Sequence, residues 1–179
     1  MQKFPTFELE KWILRGFENG DINLVKEASQ DPLIPYITSI PYYFSKTSAL
    51  EYIERQKQRH ITGKGYSFAI ADIKTNSAIG SIFLGFHNID EGRASLGYWL
   101  IEEFRGQKII GHVLPALIEW AFKSLEIQRL ELYVEPWNIA SIKTAQSLGF
   151  QKEGLMRSWQ KIGAKRKDML MMSLIITEY

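Results

Sequence analysis

The sequence predicts an α/β protein built on a mixed, mostly antiparallel sheet, and three observations carry that expectation. Strand-like runs at residues 66–72, 78–87 and 94–100 are separated only by turn signals, so they read as a meander. A long stretch with Val113, Leu114, Leu117, Ile118 and Ala121 at helical spacing follows the third run. Another strand-like run, Arg129-Leu130-Glu131-Leu132-Tyr133-Val134, comes next. A strand, a helix and a strand in succession form one crossover unit, which places a parallel pair in the sheet.

The elements follow in order. Trp12-Ile13-Leu14-Arg15 reads as the first strand. Gly20-Asp21 opens a helix, with Asp21 as N-cap and Leu24, Val25 and Ala28 on one face. Pro32, Pro35 and Pro41 make residues 31–44 irregular. Ser48-Ala49-Leu50-Glu51 fits a capping box, so a second helix is expected to run to about His60. Lys74-Thr75-Asn76 and Asp90-Glu91-Gly92 are the turns of the meander, and the nearly all-apolar run at 78–87 reads as a central strand. Pro115 requires the next helix either to start near residue 112 or to bend there. Pro136 ends the strand after it, Asn138 caps a short helix to Leu148, and Gly149 closes that helix. Residues 150–161 and 168–176 read as a final hairpin, with Gly163 and a basic cluster of Lys161, Lys165, Arg166 and Lys167 at its turn. The order β α α β β β α β α β β gives about seven strands and about four helices.

Composition narrows the function. A chain of 179 residues is expected to be a single domain over 1–179. Its 22 Lys+Arg against 20 Asp+Glu leave a net charge of +2, too balanced for a general nucleic-acid binder. There is no Cys, so disulfides and thiolate-zinc sites are excluded; His60, His87 and His112 show no ligand spacing, so no metal is expected. Met1-Gln2-Lys3-Phe4-Pro5 lacks the apolar core of a leader, and no apolar run is long enough for a bilayer, which makes cytoplasmic the default expectation. The glycine-rich triphosphate, dinucleotide and serine-hydrolase motifs are all missing.

The stretch Gly97 to Gly111 carries the chemistry. A strand ends at Leu100 or Ile101, a loop brings Arg105, Gly106, Gln107 and Lys108, and a helix starts. The first N–H groups of a helix lack internal partners and its dipole favours an anion there, so the arrangement reads as a phosphate cradle with Arg105 and Lys108 as contacts.

With the segment from Asn138 to Phe150, the chain resembles the GNAT N-acetyltransferase superfamily, most closely its ribosomal-protein alanine/serine N-terminal acetyltransferase branch. Arg105 matches the first position of the pattern Gln/Arg-x-x-Gly-x-Gly/Ala, with Lys108 and Ile110 standing at the small-residue positions. Asn138, Ser141, Gly149 and Phe150 match a second segment in correct spacing, and Glu153-Gly154 and Asp168 fit the tail. The resemblance implies a GNAT-like sheet splayed between residues 94–100 and Arg129–Val134. It implies acetyl-CoA as donor and a primary amine as acceptor. It assigns cofactor contacts to Trp99, Leu100, Ile101, Arg105, Gly106, Gln107, Lys108, Ile109, Ile110, Gly111, Asn138 and Ser141.

Amine attack on a thioester needs a donor for the developing oxyanion, a proton source for the departing thiolate and a route for the amine proton. A backbone N–H at Leu100 or Ile101 is the expected oxyanion donor. Many members place a Tyr near the thiolate; this chain has Ala145 there, and Ser141 one turn earlier takes the role by resemblance. Gln160 and Ser95 stand where some relatives carry a carboxylate base, so Glu131 is the first candidate base, with His87 and a water relay as alternatives. Trp137 and Trp159 are expected near the acceptor. The acceptor is a protein N-terminal amine in the first reading. A small amine (with Glu8, Glu10, Glu51 and Glu54 as cation contacts) and an acyl-CoA-binding module without turnover are the alternatives, and a homodimer stays open.

Overall fold

The structure, a computed structural model, describes residues 4–179; the leader reading of Met1, Gln2 and Lys3 lies outside them. Eight strands form one sheet, ordered β1-β2-β3-β4-β5-β6-β8-β7. They are β1 (Phe7–Leu9), β2 (Trp12–Gly16), β3 (Gly65–Asp72), β4 (Ala78–Asn88), β5 (Arg93–Leu100), β6 (Arg129–Val134), β7 (Gln151–Ile162) and β8 (Lys165–Ile175). The helices are α1 (Ile22–Gln30), α2 (Ile34–Ile37), α3 (Lys46–Ile61), α4 (Ile109–Ser124) and α5 (Ile139–Ser147). Each count exceeds the sequence expectation by one. The unexpected strand is β1, joined to β2 through Glu10, whose φ of 46° does in a tight hairpin what Gly or Asn usually does. The unexpected helix is α2, a single turn.

The chain divides into two compact units, one running to Leu84 and including Tyr98–Gln107, the other made of Gly85–Gly97 and Lys108–Tyr179. β4 and β5 therefore each contribute to both.

In the first unit, α1 and α3 bury Leu24, Val25, Ala28, Ala49, Tyr52 and Ile53 with Phe17, Ile34, Ile40, Ala69 and Ile101 in one core. Two caps differ from the expected ones. α3 starts three residues early because Ser45, not Ser48, is its N-cap. The Ser45 hydroxyl accepts the Ser48 N–H at 3.0 Å, and the Ser48 hydroxyl accepts the Ser45 N–H at 3.0 Å. Asp21 stands at the N-cap of α1 but makes no cap bond to it. Its carboxylate instead accepts the Glu18 N–H at 2.8 Å and both terminal nitrogens of Arg15, at 2.9 and 2.8 Å. A buried bidentate guanidinium outcompetes a cap that water could otherwise serve.

In the second unit, β5 runs parallel to β6 over Arg93↔Arg129 to Leu96↔Leu132, as the crossover through α4 requires. The last four residues of β5 and the last two of β6 lie outside this register. β8 pairs antiparallel with β6 and β7. α4 begins at Ile109 and accommodates Pro115 within it, so the helix starts earlier than the proline suggested. Lys165, Arg166 and Lys167 are strand residues of β8 rather than part of the turn, which Gly163 makes at a φ of 59°. Asp168 closes a bulge in β7: its carboxylate accepts the N–H of Ser158, itself at a φ of 54°. No helix among the described residues is long and apolar enough to cross a membrane.

Candidate active site

The end of β5 is held against β4 by a contact that only glycine permits. A Cβ on Gly80 would lie 2.4 Å from the Trp99 carbonyl oxygen and 2.7 Å from Leu100 Cδ2. The Ile101 N–H then donates to the Ile79 carbonyl at 3.1 Å. That bond removes Ile101 from the expected oxyanion donors. Backbone polar groups alternate between the two edges of a strand, so the Leu100 N–H and C=O face the edge opposite β4. Leu100 is the donor left of the expected pair.

The loop after β5 turns twice through the left-handed region before α4. Gly106 has a φ of 74° and Lys108 a φ of 58°, with Lys108 as the helix N-cap. This explains why small residues suit the family pattern at Lys108: that position asks for the conformation glycine adopts without strain. Lys108 makes no side-chain cap bond, so the N–H groups of Ile109, Ile110 and Gly111 receive nothing from it. Ile110 is buried and its bulk faces inward, away from the loop surface. A Cβ on Gly106 or Gly111 would meet nothing within 4 Å beyond the adjoining chain and the backbone of α4 itself, so open space lies on that side. Successive N–H groups beside open space fit a pyrophosphate.

The side chains of the loop are placed otherwise than expected. Arg105 donates through Nε to the Leu100 carbonyl at 2.9 Å and through a terminal nitrogen to Asp31 at 2.5 Å. Two of its five donors are thus engaged by protein, and the side chain is 39% exposed. Gln107 donates its amide to the Glu103 carbonyl at 2.8 Å, which leaves its backbone as the group facing a ligand. Lys108 is exposed, as is Arg105.

At the head of α5, Asn138 Oδ1 accepts the Ser141 N–H at 3.1 Å, the expected N-cap. Ser141 and Asn138 are half-buried, Ala145 is fully buried, and Trp137 and Ile139 are exposed. Ala145 thus packs in the core and offers no hydroxyl.

Glu131, the first candidate base, is engaged by other side chains. Its buried carboxylate accepts Arg129 Nε at 2.8 Å on one oxygen and the Tyr133 hydroxyl at 2.7 Å on the other, with Arg93 at 3.9 Å. Burial pushes its pKa up, but the hydrogen bonds from Arg129 and Tyr133 outweigh it and hold the carboxyl below its usual value. A carboxylate so stabilised is reluctant to take a proton at neutral pH. Tyr133 is pushed up to about 12, first by burial and then by its bond to Glu131. Arg129 also forks onto Glu153 at 2.7 and 2.6 Å, and the Ser173 hydroxyl donates to Glu153. Trp159, half-exposed, stacks on the Tyr133 ring with centroids 5.9 Å apart.

Two features escaped the sequence. The charged network around Glu131 joins β5, β6, β7 and β8, and only their register brings it together. Asp31 was locally legible: an Asp two and three residues before N–H groups it can cap is a helix-start signal, and its carboxylate accepts Leu33 N–H at 2.8 Å and Ile34 N–H at 3.0 Å.

Comparison with known proteins gives a consistent answer. A family model described as an acetyltransferase (GNAT) domain matches residues 11–151. The uncharacterized N-acetyltransferase p20 of Bacillus licheniformis is 33% identical over 176 residues, 97% of this chain and 98% of that protein. Among solved structures, RimJ of Mycobacterium smegmatis in complex with CoA-disulfide superposes with a TM-score of 0.83 at 21% identity, over 97% of this chain and 88% of that one. RimL, a ribosomal L7/L12 alpha-N-protein acetyltransferase in complex with coenzyme A, gives 0.81 at 21%, over 98% and 100%. A family match across most of the sequence, a relative aligned almost end to end and solved structures of the same fold lead to one conclusion: this chain belongs to the GNAT acetyltransferase family and is an acyltransferase.

Proposed function

We propose that the chain transfers an acetyl group from acetyl-CoA to a protein N-terminal amine. The observation that carries the donor assignment is the double left-handed turn at Gly106 and Lys108, which leads into α4 with no side-chain cap on its first N–H groups. The N–H groups of Gln107 to Gly111 would hold the pyrophosphate, and the outer edge of β5 at Leu100 the amide chain that follows it. The structural neighbour RimL, named as a ribosomal L7/L12 alpha-N-protein acetyltransferase, supports the acceptor assignment.

Acetyl-CoA supplies an activated thioester. The residues of this chain do the rest. The amine nitrogen forms a bond to the carbonyl carbon, the carbon–sulfur bond breaks, and the amine proton leaves through a water relay now that Glu131 is committed elsewhere. The Leu100 N–H faces the oxygen as it becomes negative, a contribution of roughly 3–4 kcal/mol for a well-placed donor. The Ser141 hydroxyl hydrogen-bonds the departing sulfur and assists its protonation, with Asn138 setting the helix turn that presents it.

Release of free thiol across a panel of N-terminal peptides, polyamines and aminoglycosides tests this. Turnover is expected on peptides with a free α-amine and abolished by blocking it. Turnover confined to polyamines or aminoglycosides would replace the acceptor assignment; tight coenzyme A binding without release on any amine would replace enzyme with binding module.

A further inference from the structure

The Arg105 guanidinium has partners that a phosphate contact does not need. Besides the Leu100 carbonyl, it meets Asp31, whose side chain is 3% exposed. Asp31 uses one oxygen for the N–H groups of Leu33 and Ile34 at the start of α2 and the other for Arg105. Three donors satisfy this buried carboxylate, and loss of the charged one leaves it undercompensated. Arg105 is therefore a crosspiece from the start of α2 to the last carbonyl of β5. Its planar fork serves both ends at once, which a lysine ammonium on a flexible stem does not reproduce. The Leu100 carbonyl it grips shares an edge with the Leu100 N–H, because Ile101 faces β4. Fixing the carbonyl of a residue fixes the direction of that edge.

We propose that Arg105 and Asp31 form a positioning pair: Arg105, braced by the buried Asp31 carboxylate, aims the outer edge of β5 so that the Leu100 N–H meets the developing oxyanion. The proposal rests on the donor role given to Leu100 above. It reassigns the loop arginine from binding the donor to orienting the group that acts on it.

The test compares Asp31→Asn, Arg105→Gln, Arg105→Lys and the Asp31→Asn/Arg105→Gln double variant, each measured for kcat and, by calorimetry, for coenzyme A affinity. Positioning predicts a fall in kcat of about 10- to 100-fold in each single variant, the size expected when a reacting geometry loosens. Coenzyme A affinity should stay within about threefold, and the double variant should be no worse than the weaker single, as for two residues acting as one unit. Lysine should fail to rescue. A phosphate contact predicts the reverse split: Arg105→Gln weakens coenzyme A, while Asp31→Asn, which frees the arginine, leaves it equal or tighter. That split, or an Asp31→Asn enzyme with unchanged kcat, overturns the proposal. If the wild type turns over no amine, the proposed function fails on its own, and amide exchange reads the pair directly. Arg105→Gln should speed exchange at Ile34, whose acceptor loses its brace, and unchanged exchange there overturns the pair.

Discussion

At the scale of single residues, the site is built by backbone conformation more than by side-chain charge. Lys108 occupies the left-handed region at a φ of 58°, and its side chain is exposed beside the N–H groups proposed to hold the pyrophosphate. Lys108→Gly is therefore expected to keep coenzyme A affinity within a few fold at moderate salt and to flatten its salt dependence. A loss of affinity that persists at high salt would return the main role to the side chain. Ser141→Ala should lower kcat by tenfold or more, in the range of lost proton-transfer assistance, with coenzyme A affinity unchanged; equal turnover would remove Ser141 from the chemistry. Glu153 gives a stability test. Hydrogen bonds from Arg129 and Ser173 hold its pKa at about 2, against an ordinary value of 4.5. The native state thus binds fewer protons than the unfolded one between these values. The stabilisation is fully present above the ordinary value and is lost as pH falls through the folded one. Thermal melts should show the wild type losing Tm more steeply than Glu153→Gln between about pH 4.5 and 2. Parallel slopes would show that the pair adds nothing.

At the scale of elements, what was legible followed local pattern, and what was not depended on partners distant in the chain. β6 and the Asn138 cap of α5 emerged with their predicted boundaries, because the apolar run ends at Pro136 and the cap bond spans three residues. The Ser48 capping box gave way to Ser45, since both serines satisfy the same local pattern and the earlier one adds a turn to α3. Asp21 looked like a cap and became the partner of Arg15, and Glu131 looked like a base and became the centre of an Arg129, Tyr133 and Arg93 network; tertiary contact decided both. The loop between β5 and α4 was recognisable from Arg105, Gly106 and the apolar stripe of α4, but the contact of Arg105 with Asp31 was not, because Asp31 lies 74 residues away in the chain. Gly80 was silent for the same reason. Adding its Cβ would drive the end of β5 from β4, so Gly80→Ala should cost about 1–3 kcal/mol of stability, as overpacking does, and should also weaken coenzyme A binding. Unfolding by denaturant together with calorimetry checks both; a stable variant with full affinity would show that β5 does not need this approach.

At the scale of the whole molecule, the family assignment rests on a family model that matches residues 11–151 and on a relative aligned over nearly the full length of the sequence. The same fold serves relatives named for different acceptors, including RimL and the microcin C7 self-immunity acetyltransferase MccE, so fold alone does not choose the acceptor. The charge distribution sets one boundary. Residues 154–167 carry Arg157, Lys161, Lys165, Arg166 and Lys167 with no acidic residue, while the chain as a whole sums to +2, so the remainder is net acidic. Mass spectrometry of a peptide with a free α-amine, incubated with this protein and acetyl-CoA, tests the central claim most directly. The account predicts one acetyl group on the α-amine for each free thiol released. Unmodified peptides and intact donor, repeated with polyamines and aminoglycosides, would contradict it.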